Sequence, residues 1–161
     1  SSIISRKILI DCATLLANTF PQKKIIFKLK PMEFLNWKDT ILAILKNYKN
    51  IEVIDNDVRP IEFFLKQSMY VIGTNSTALI EAMPYAQIIV IKHGWYKEMQ
   101  YFIENNYFYL ATDIKELINI INNSNKKNTL RNFPLDQIFK KNSFNVINDM
   151  IDGLLSNKNV R

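Results

Sequence analysis

The sequence predicts an α/β fold in which a parallel sheet of about five or six strands is covered by helices on both faces. Short apolar runs alternate with segments of helical periodicity over most of the 161 residues. Several of these runs lack polar residues at alternate positions, which is typical of parallel strands buried on both faces. With 48% apolar residues, the chain is long enough to bury the core of one ordinary domain.

The first part of the chain is predicted to hold two long helices, two strands and a short third helix. Apolar residues at helical spacing define the helices, Pro21 ends the first, and Pro60 suits the first turn of the third. The runs between the long helices are short and apolar, as expected for strands. Helices are predicted at 6–20, 34–48 and 61–67, and strands at 24–28 and 51–54.

The second part of the chain continues the same alternation. Pro84 stops one helix, and Asp113 with Glu116 three residues later predicts a capping box that starts another. Three apolar runs in the whole chain, at 25–27, 69–72 and 88–91, are predicted to be fully buried strands. Further strands and helices are predicted as follows: strands at 69–72, 87–91 and 107–110; helices at 76–83, 98–105, 113–121 and, with a break, 134–155.

The polar turn at 73–77 is the most informative stretch, because an apolar strand ends there and a helical pattern begins at once. Asn75 or Ser76 is predicted to cap the helix, leaving N–H groups and hydroxyls free to bind phosphate or another anion. Glu81 follows Thr77 by one helical turn and can accept hydrogen bonds from ribose or sugar hydroxyls. The alternative is an ordinary cap followed by a solvated glutamate. The residues of the turn are Gly73, Thr74, Asn75, Ser76 and Thr77.

The 73–77 turn matches neither the dinucleotide fingerprint nor the phosphate loop of ATP-binding proteins, which disfavours a classical site of either kind.

A second polar turn follows the 24–28 strand. Lys28 and Lys30 carry point charges that suit phosphate, and Pro31 fixes the turn. Glu33 could orient Lys30 or cap the next helix. A solvated connection between strand and helix is the alternative interpretation of this turn.

Two further polar segments follow predicted strands. Asp55 and Asp57 could act as an acid and base pair or hold a metal, although a turn with a cap is the favoured interpretation. Arg59 is a candidate phosphate contact. His93 is the single histidine, so a site built from several histidines is excluded, but the loop that it shares with Lys92 and Trp95 could contact a ligand.

The formal net charge of +6 permits binding to nucleic acid, an anionic membrane or a phosphorylated ligand, without choosing among them. No nucleic-acid motif is present, and no apolar run approaches the roughly 20 residues of a membrane span. The single Cys12 excludes an intramolecular disulfide and is expected to be a buried small hydrophobe. Because the sequence begins without Met, the chain is expected to be an excised piece of a longer protein.

The order of these features resembles the C-terminal, nucleotide-binding half of GT-B glycosyltransferases that build bacterial surface polysaccharides. Among these enzymes, the chain most resembles the group of sialyltransferases, polysialyltransferases and capsule-synthesis enzymes. The resemblance spans residues 24–121 and is carried by three stretches in order: Lys-Leu-Lys-Pro-Met-Glu at 28–33, Tyr-Val-Ile-Gly-Thr-Asn-Ser-Thr-Ala-Leu-Ile-Glu-Ala at 70–82, and Ile-Lys-His-Gly at 91–94. It implies a Rossmann-like sheet as one half of a GT-B fold.

The resemblance also implies roles for particular residues. Ser76 and Thr77 would contact the donor phosphate, and Glu81 would lie beside the ribose. Pro31 matches the family's proline, but Lys30 stands where the family has a histidine. A lysine supplies positive charge at this position but cannot act as an acid near neutral pH as a histidine can. Lys30 is therefore the candidate catalytic residue, with Lys28 beside it to stabilise the departing phosphate. No metal and no cofactor other than the nucleotide-sugar donor would be required.

The family places its catalytic base in an N-terminal, acceptor-binding half. The chain is therefore expected to be a single donor-binding domain over 1–161 with a C-terminal helical segment at 134–161, and to have little or no turnover alone. CMP-sialic acid is the leading donor and a surface glycan the acceptor, with no nucleic-acid partner. The expected location is cytoplasmic, with peripheral association at the inner face of the bacterial membrane. The alternatives are a CDP-dependent glycerol-phosphate or sugar-phosphate transferase and a non-catalytic Rossmann-like binding module.

Overall fold

The computed structural model describes residues 3–30, 35–55 and 59–124, and the side chains of all of these except 35 and 36. The predicted α/β class is confirmed, because helices alternate with parallel strands throughout the described residues. The strands form two small parallel sheets, one of two strands and one of three, and a single sheet of five or six strands is not shown. The chain divides after Pro60 into two compact units, each built around one of these sheets.

The first unit packs two helices on its two-stranded sheet. Strands β1 and β2 are parallel, with Ile25 opposite Ile51 and Lys28 opposite Ile54. The core between the helices and the sheet consists of buried aliphatic residues, namely Ile10, Ala13, Leu29, Ile41 and Leu45. The elements of this unit are α1 (Ile3–Thr19), β1 (Ile25–Lys28), α2 (Leu35–Leu45) and β2 (Ile51–Ile54).

A single amide side chain holds the connection between α1 and β1 in place. Asn50 Nδ2 donates hydrogen bonds to the carbonyl oxygens of Ala17 at 3.2 Å, Phe20 at 3.3 Å and Lys23 at 3.1 Å. Two of these carbonyls belong to the last turn of α1 and the residue after it, where backbone acceptors lack partners within the helix. The sequence predicted only that Pro21 ends α1. The structure adds Asn50, whose side chain binds backbone carbonyl groups at that end of the helix.

The second unit is a three-stranded parallel sheet with β4 in the middle. Strand order is β3-β4-β5, with Gly73 opposite Val90 and Ile91 opposite Ala111. Its core lies around β4 and the short helices beside it, with Leu79, Met83 and Phe102 among the buried residues. The elements are α3 (Ile61–Leu65), β3 (Tyr70–Gly73), α4 (Thr77–Glu81), β4 (Gln87–Ile91), a 3₁₀ helix (Gly94–Met99), α5 (Gln100–Glu104), β5 (Phe108–Ala111) and α6 (Ile114–Asn123).

The prediction of three fully buried strands is wrong for two of them. Every residue of β4 is buried, whereas β3 is half-buried along its whole length and residues 25–27 of β1 are also only half-buried. The reason is position: β4 has a strand on each side, while β3 lies at the edge of its sheet and β1 has one partner strand. An apolar run in the sequence does not distinguish a central strand from an edge strand.

Two further predictions need correction. The expected helix at 98–105 begins earlier, as a 3₁₀ helix from Gly94 that continues into α5. The capping box of α6 is shifted, because the Glu116 carboxylate accepts from the Thr112 N–H at 2.7 Å rather than from Asp113. The helix predicted at 134–155 lies outside the described residues. Among the helices that are described, none is both long and apolar enough to cross a membrane.

Candidate functional site

Three polar segments follow the three strands of the second unit at one edge of the sheet. Because β3, β4 and β5 are parallel, their carboxyl ends lie on the same side, which we call the carboxyl edge. The 73–77 turn follows β3, the 92–95 loop follows β4, and Thr112 with Asp113 follows β5. The Lys92 N–H donates to the Ala111 carbonyl oxygen at 2.8 Å, which continues the ladder to the edge itself.

The first half of the 73–77 turn is occupied by hydrogen bonds of its own. Thr74 is buried, and its hydroxyl donates to Asn75 Oδ1 at 3.2 Å. Asn75 Nδ2 in turn donates to Glu98 Oε2 at 3.1 Å, in the 3₁₀ helix after β4. Both ends of the Asn75 amide are therefore used, and the two residues brace the turn against the segment that follows β4. The Thr74 hydroxyl, in the turn that was predicted to bind an anion, is thus engaged within the turn itself.

The second half of the turn starts α4 and keeps its polar groups accessible. Ser76 is the N-cap, as predicted, and its Oγ accepts from the Ala78 N–H at 3.3 Å. The half-buried Thr77 hydroxyl has no hydrogen-bond partner among the described residues. Glu81 ends the helix and lies four residues after Thr77, on the same face. Since α4 has five residues, its dipole is small, and an anion here would depend on hydroxyl and N–H contacts.

Two glycines shape this edge for different reasons. Gly73 has no left-handed backbone; instead, a Cβ there would lie 3.2 Å from Leu79 Cδ2, a buried side chain of α4. Gly73 thus allows strand and helix to approach closely. Gly94 has φ of 56°, a conformation that glycine adopts without cost and that turns the chain sharply after β4. Of the two, only Gly94 has a backbone conformation that favours glycine.

The 92–95 loop, which was predicted as a possible ligand contact, presents an exposed aromatic side chain. Trp95 is 72% exposed, the highest value among the exposed large hydrophobic residues of the described chain. Its backbone, with φ of −82° and ψ of 20°, is not helical, so the 3₁₀ segment kinks at this residue. Lys92 is exposed and His93 is half-buried. The signal in the sequence was the Gly94-Trp95 pair directly after an apolar strand.

The segment after β5 carries a carboxylate held in its ionised form. Glu116 accepts hydrogen bonds from both the N–H and the hydroxyl of Thr112. These two bonds lower the pKa of Glu116, and the positive charge of Lys92 lowers it further. Asp113 caps α6 by accepting from the Glu116 N–H at 2.8 Å. The Glu116 carboxylate is therefore an element of loop structure rather than a proton donor at neutral pH.

The remaining predicted site residues belong to the first unit or lie outside the described residues. Lys28 and Lys30 are exposed at the end of β1, and Lys28 Nζ donates to the Leu29 carbonyl oxygen at 3.1 Å. Arg59 is also exposed. Pro31, Glu33 and Asp57 are outside the described residues. The structure describes the lysines within the first unit and the 73–77 turn within the second.

In the described part of the chain, no group of three or more His, Cys, Asp or Glu residues could hold a metal ion. Asp55, a predicted acid or metal ligand, is instead paired with Lys38. Cys12 is buried, as predicted, and burial together with the neighbouring Asp11 charge raises its pKa to about 11. Its thiol therefore stays protonated at neutral pH and is not a nucleophile.

No protein-family model, curated protein or solved structure matches this chain. The resemblance to GT-B glycosyltransferases therefore stays a prediction that depends on the motifs at 28–33, 70–82 and 91–94. What the structure adds is a local arrangement: the turn of the 70–82 motif and the loop of the 91–94 motif follow the adjacent parallel strands β3 and β4. Asn75 of that turn donates to Glu98, which lies four residues after the 91–94 motif.

Proposed function

We propose that this chain is the donor-nucleotide-binding domain of a glycosyltransferase. The observation that supports the proposal is the position of three polar segments after β3, β4 and β5 at one carboxyl edge. In parallel α/β sheets, ligands bind beyond the carboxyl ends of the strands. The 73–77 turn offers hydroxyl and N–H donors at that edge, which suit the phosphate of a nucleotide.

The residues of the turn divide into those that shape the site and those that bind. Thr74 and Asn75 hold the turn through their mutual bond and the bond to Glu98. The Thr77 hydroxyl is the side-chain donor proposed to contact phosphate, with the backbone N–H groups of Ser76 and Thr77 beside it. Glu81, one turn further along α4, is proposed to accept hydrogen bonds from the ribose hydroxyls. His93 is a further candidate contact from the adjacent loop.

The proposed donor is CMP-sialic acid, and the reaction is sugar transfer to a glycan acceptor with a nucleotide leaving group. Hydrogen-bond donors and positive charge would stabilise the phosphate as the glycosidic bond to it breaks. The contacts of Lys28, Lys30 and Pro31 with the donor stay predictions. The finer fold assignment, a Rossmann-like sheet forming one half of a GT-B enzyme, is part of the same proposal.

Competition for bound CMP tests the type of donor. The proposal predicts that CMP-sialic acid displaces CMP from the chain, whereas CDP-glycerol does so more weakly. The opposite order would assign the site to a glycerol-phosphate or sugar-phosphate transferase. Absence of binding to CMP and to every other nucleotide would contradict the proposal and favour a binding module without catalytic function.

We further propose that the first unit associates peripherally with an anionic membrane. Lys23, Lys24 and Lys49 line a surface cavity of about 370 Å³ at the amino end of β1 and β2, the opposite edge from Lys28. Lys24 is paired with Glu52, while Lys46 adds another exposed ammonium after α2. Each lysine near an anionic leaflet contributes about 1 kcal/mol of attraction. The alternative role of these lysines is to offset the carbonyl ends of α1 and α2.

Sedimentation with lipid vesicles tests this association. The chain is expected to sediment with phosphatidylcholine vesicles that contain phosphatidylserine, and not with phosphatidylcholine alone. The triple variant Lys23→Gln, Lys46→Gln, Lys49→Gln should lose this binding. A matched variant with Lys7→Gln, Lys97→Gln and Lys115→Gln removes the same charge elsewhere and should keep it. Equal loss in both variants would show that net charge, not this cluster, attracts the vesicles.

A further inference from the structure

Trp95 is unusual for a large aromatic residue because most of it is exposed to solvent. It is 72% exposed, and the neighbouring residues Lys92, Gly94 and Lys97 are exposed and not hydrophobic. A docking surface for a protein normally has a contiguous apolar centre, and the other exposed residues of the 92–98 segment are not hydrophobic. An exposed indole instead suits stacking against the face of a planar ring.

The segment that carries this indole is tied to the turn after β3. Gly94, with φ of 56°, turns the chain immediately after β4, and the kink at Trp95 follows. Glu98 lies three residues later, one turn of the 3₁₀ helix, and its carboxylate accepts from Asn75 in the turn after β3. The segment that carries Trp95 is thus tied to the 73–77 turn, in which the Thr77 hydroxyl is available for a ligand.

We propose that the Trp95 indole is the stacking surface for the base of the nucleotide that binds at the carboxyl edge. The inference rests on the proposed nucleotide-binding function and names the residue that holds the base. Phosphate is held at the 73–77 turn, and the base lies against Trp95 in the segment braced to that turn by Asn75 and Glu98. Stacking is tolerant of base identity, so Trp95 supplies affinity and leaves selection among bases to polar contacts.

The test compares two ligands that differ by the base. CMP and ribose 5-phosphate are titrated by calorimetry into the wild-type chain, Trp95→Ala and Trp95→Phe. Trp95→Ala is expected to weaken CMP binding by at least about fivefold and to leave ribose 5-phosphate unchanged, while Trp95→Phe stays within about threefold of wild type. Because Trp95 is exposed and not part of the core, these variants are expected to fold.

Fluorescence gives an independent readout, since the chain contains two tryptophans, Trp37 and Trp95. In Trp37→Phe, the emission comes from Trp95 alone and should be quenched by CMP and shielded from iodide. In Trp95→Phe, the emission of Trp37 should not respond to CMP.

Three results would overturn the inference. CMP affinity unchanged in Trp95→Ala would remove Trp95 from the site while leaving the nucleotide-binding function in place. Equal weakening of CMP and ribose 5-phosphate would show that Trp95 acts on the phosphate end or on loop structure, not on the base. Failure of the wild-type chain to bind CMP or any other nucleotide would remove both the inference and the proposed function.

Discussion

The Asn75 side-chain amide donates a 3.1 Å hydrogen bond to the Glu98 carboxylate, joining the turn after β3 to the 3₁₀ helix after β4. The same amide accepts from the Thr74 hydroxyl through its oxygen. Two loops that are separated by a helix and a strand in the sequence are therefore held together at the edge where a ligand is proposed to bind. An exposed bond of this kind adds little to stability, so its effect should be on the geometry of the site.

Replacement of Asn75 by alanine tests that effect. Asn75→Ala is expected to lower nucleotide affinity by several-fold while changing the free energy of unfolding by less than about 1 kcal/mol. The measurements are calorimetric titration with CMP and urea denaturation of the same variant. Glu98→Ala should give a similar loss of affinity, and the double variant should be no worse than either single one. Additive losses would show that the two residues act separately.

Thr77 and Ser76 have separable roles at the start of α4. Thr77→Val removes the free hydroxyl but keeps the Ser76 cap, so it should weaken CMP binding about tenfold with almost no loss of stability. Ser76→Ala should cost about 1 kcal/mol of stability through the lost cap. Thr19→Val is the matched control, because it removes an exposed hydroxyl that donates to the Leu15 carbonyl oxygen within α1 and should leave CMP affinity unchanged. Wild-type affinity in Thr77→Val would contradict the assignment of phosphate to this turn.

Lys30 is the predicted source of positive charge in place of the family's histidine. Lys30→Ala should weaken binding of CMP about tenfold or more, since a hydrogen bond to a charged group contributes about 1.5–3 kcal/mol. The dependence of affinity on salt should also become weaker. Lys7→Ala, another exposed lysine of the first unit, is the control for net charge. If Lys30→Ala and Lys7→Ala behave alike, Lys30 does not contact the phosphate.

The buried thiol of Cys12 predicts how the stability of the chain depends on pH, independently of any ligand. Its pKa is raised to about 11 in the folded chain from an ordinary value of 9.0, chiefly by burial. The unfolded chain therefore releases this proton first, so stability falls as pH rises from about 9 towards 11, by at most about 1.4 kcal/mol per pH unit. Urea denaturation of wild type and Cys12→Ala at both ends of that range should show a steeper alkaline decline in wild type. Parallel declines would contradict a buried, protonated thiol.

Much of the fold follows from patterns that the sequence displays locally. The strands β2 (Ile51–Ile54) and β4 (Gln87–Ile91) have the predicted bounds, and the caps at Ser76 and Asp113 were predicted from residue type. Local periodicity and capping chemistry determine these features, so a single sequence contains the information.

Features that depend on contacts between distant residues could not be predicted in the same way. The exposure of β3 depends on its place in the sheet, and the Asn75–Glu98 bond depends on the packing of two loops. The shift of the α6 box to Thr112 depends on the exact turn of the backbone after β5. Trp95 belongs to the same class, because the sequence shows an aromatic residue in a loop but not that the loop holds it in solvent.

Calorimetric titration of the 161-residue chain with CMP, CDP, UDP, GDP and ADP at one salt concentration tests the proposed nucleotide-binding function most directly. We expect saturable binding with preference for the cytidine nucleotides, weakened in Thr77→Val and unchanged in Thr19→Val. Preference for a uridine, guanosine or adenosine nucleotide would keep the donor-binding function and replace the proposed donor. The absence of binding to all five nucleotides would contradict the donor-binding function itself.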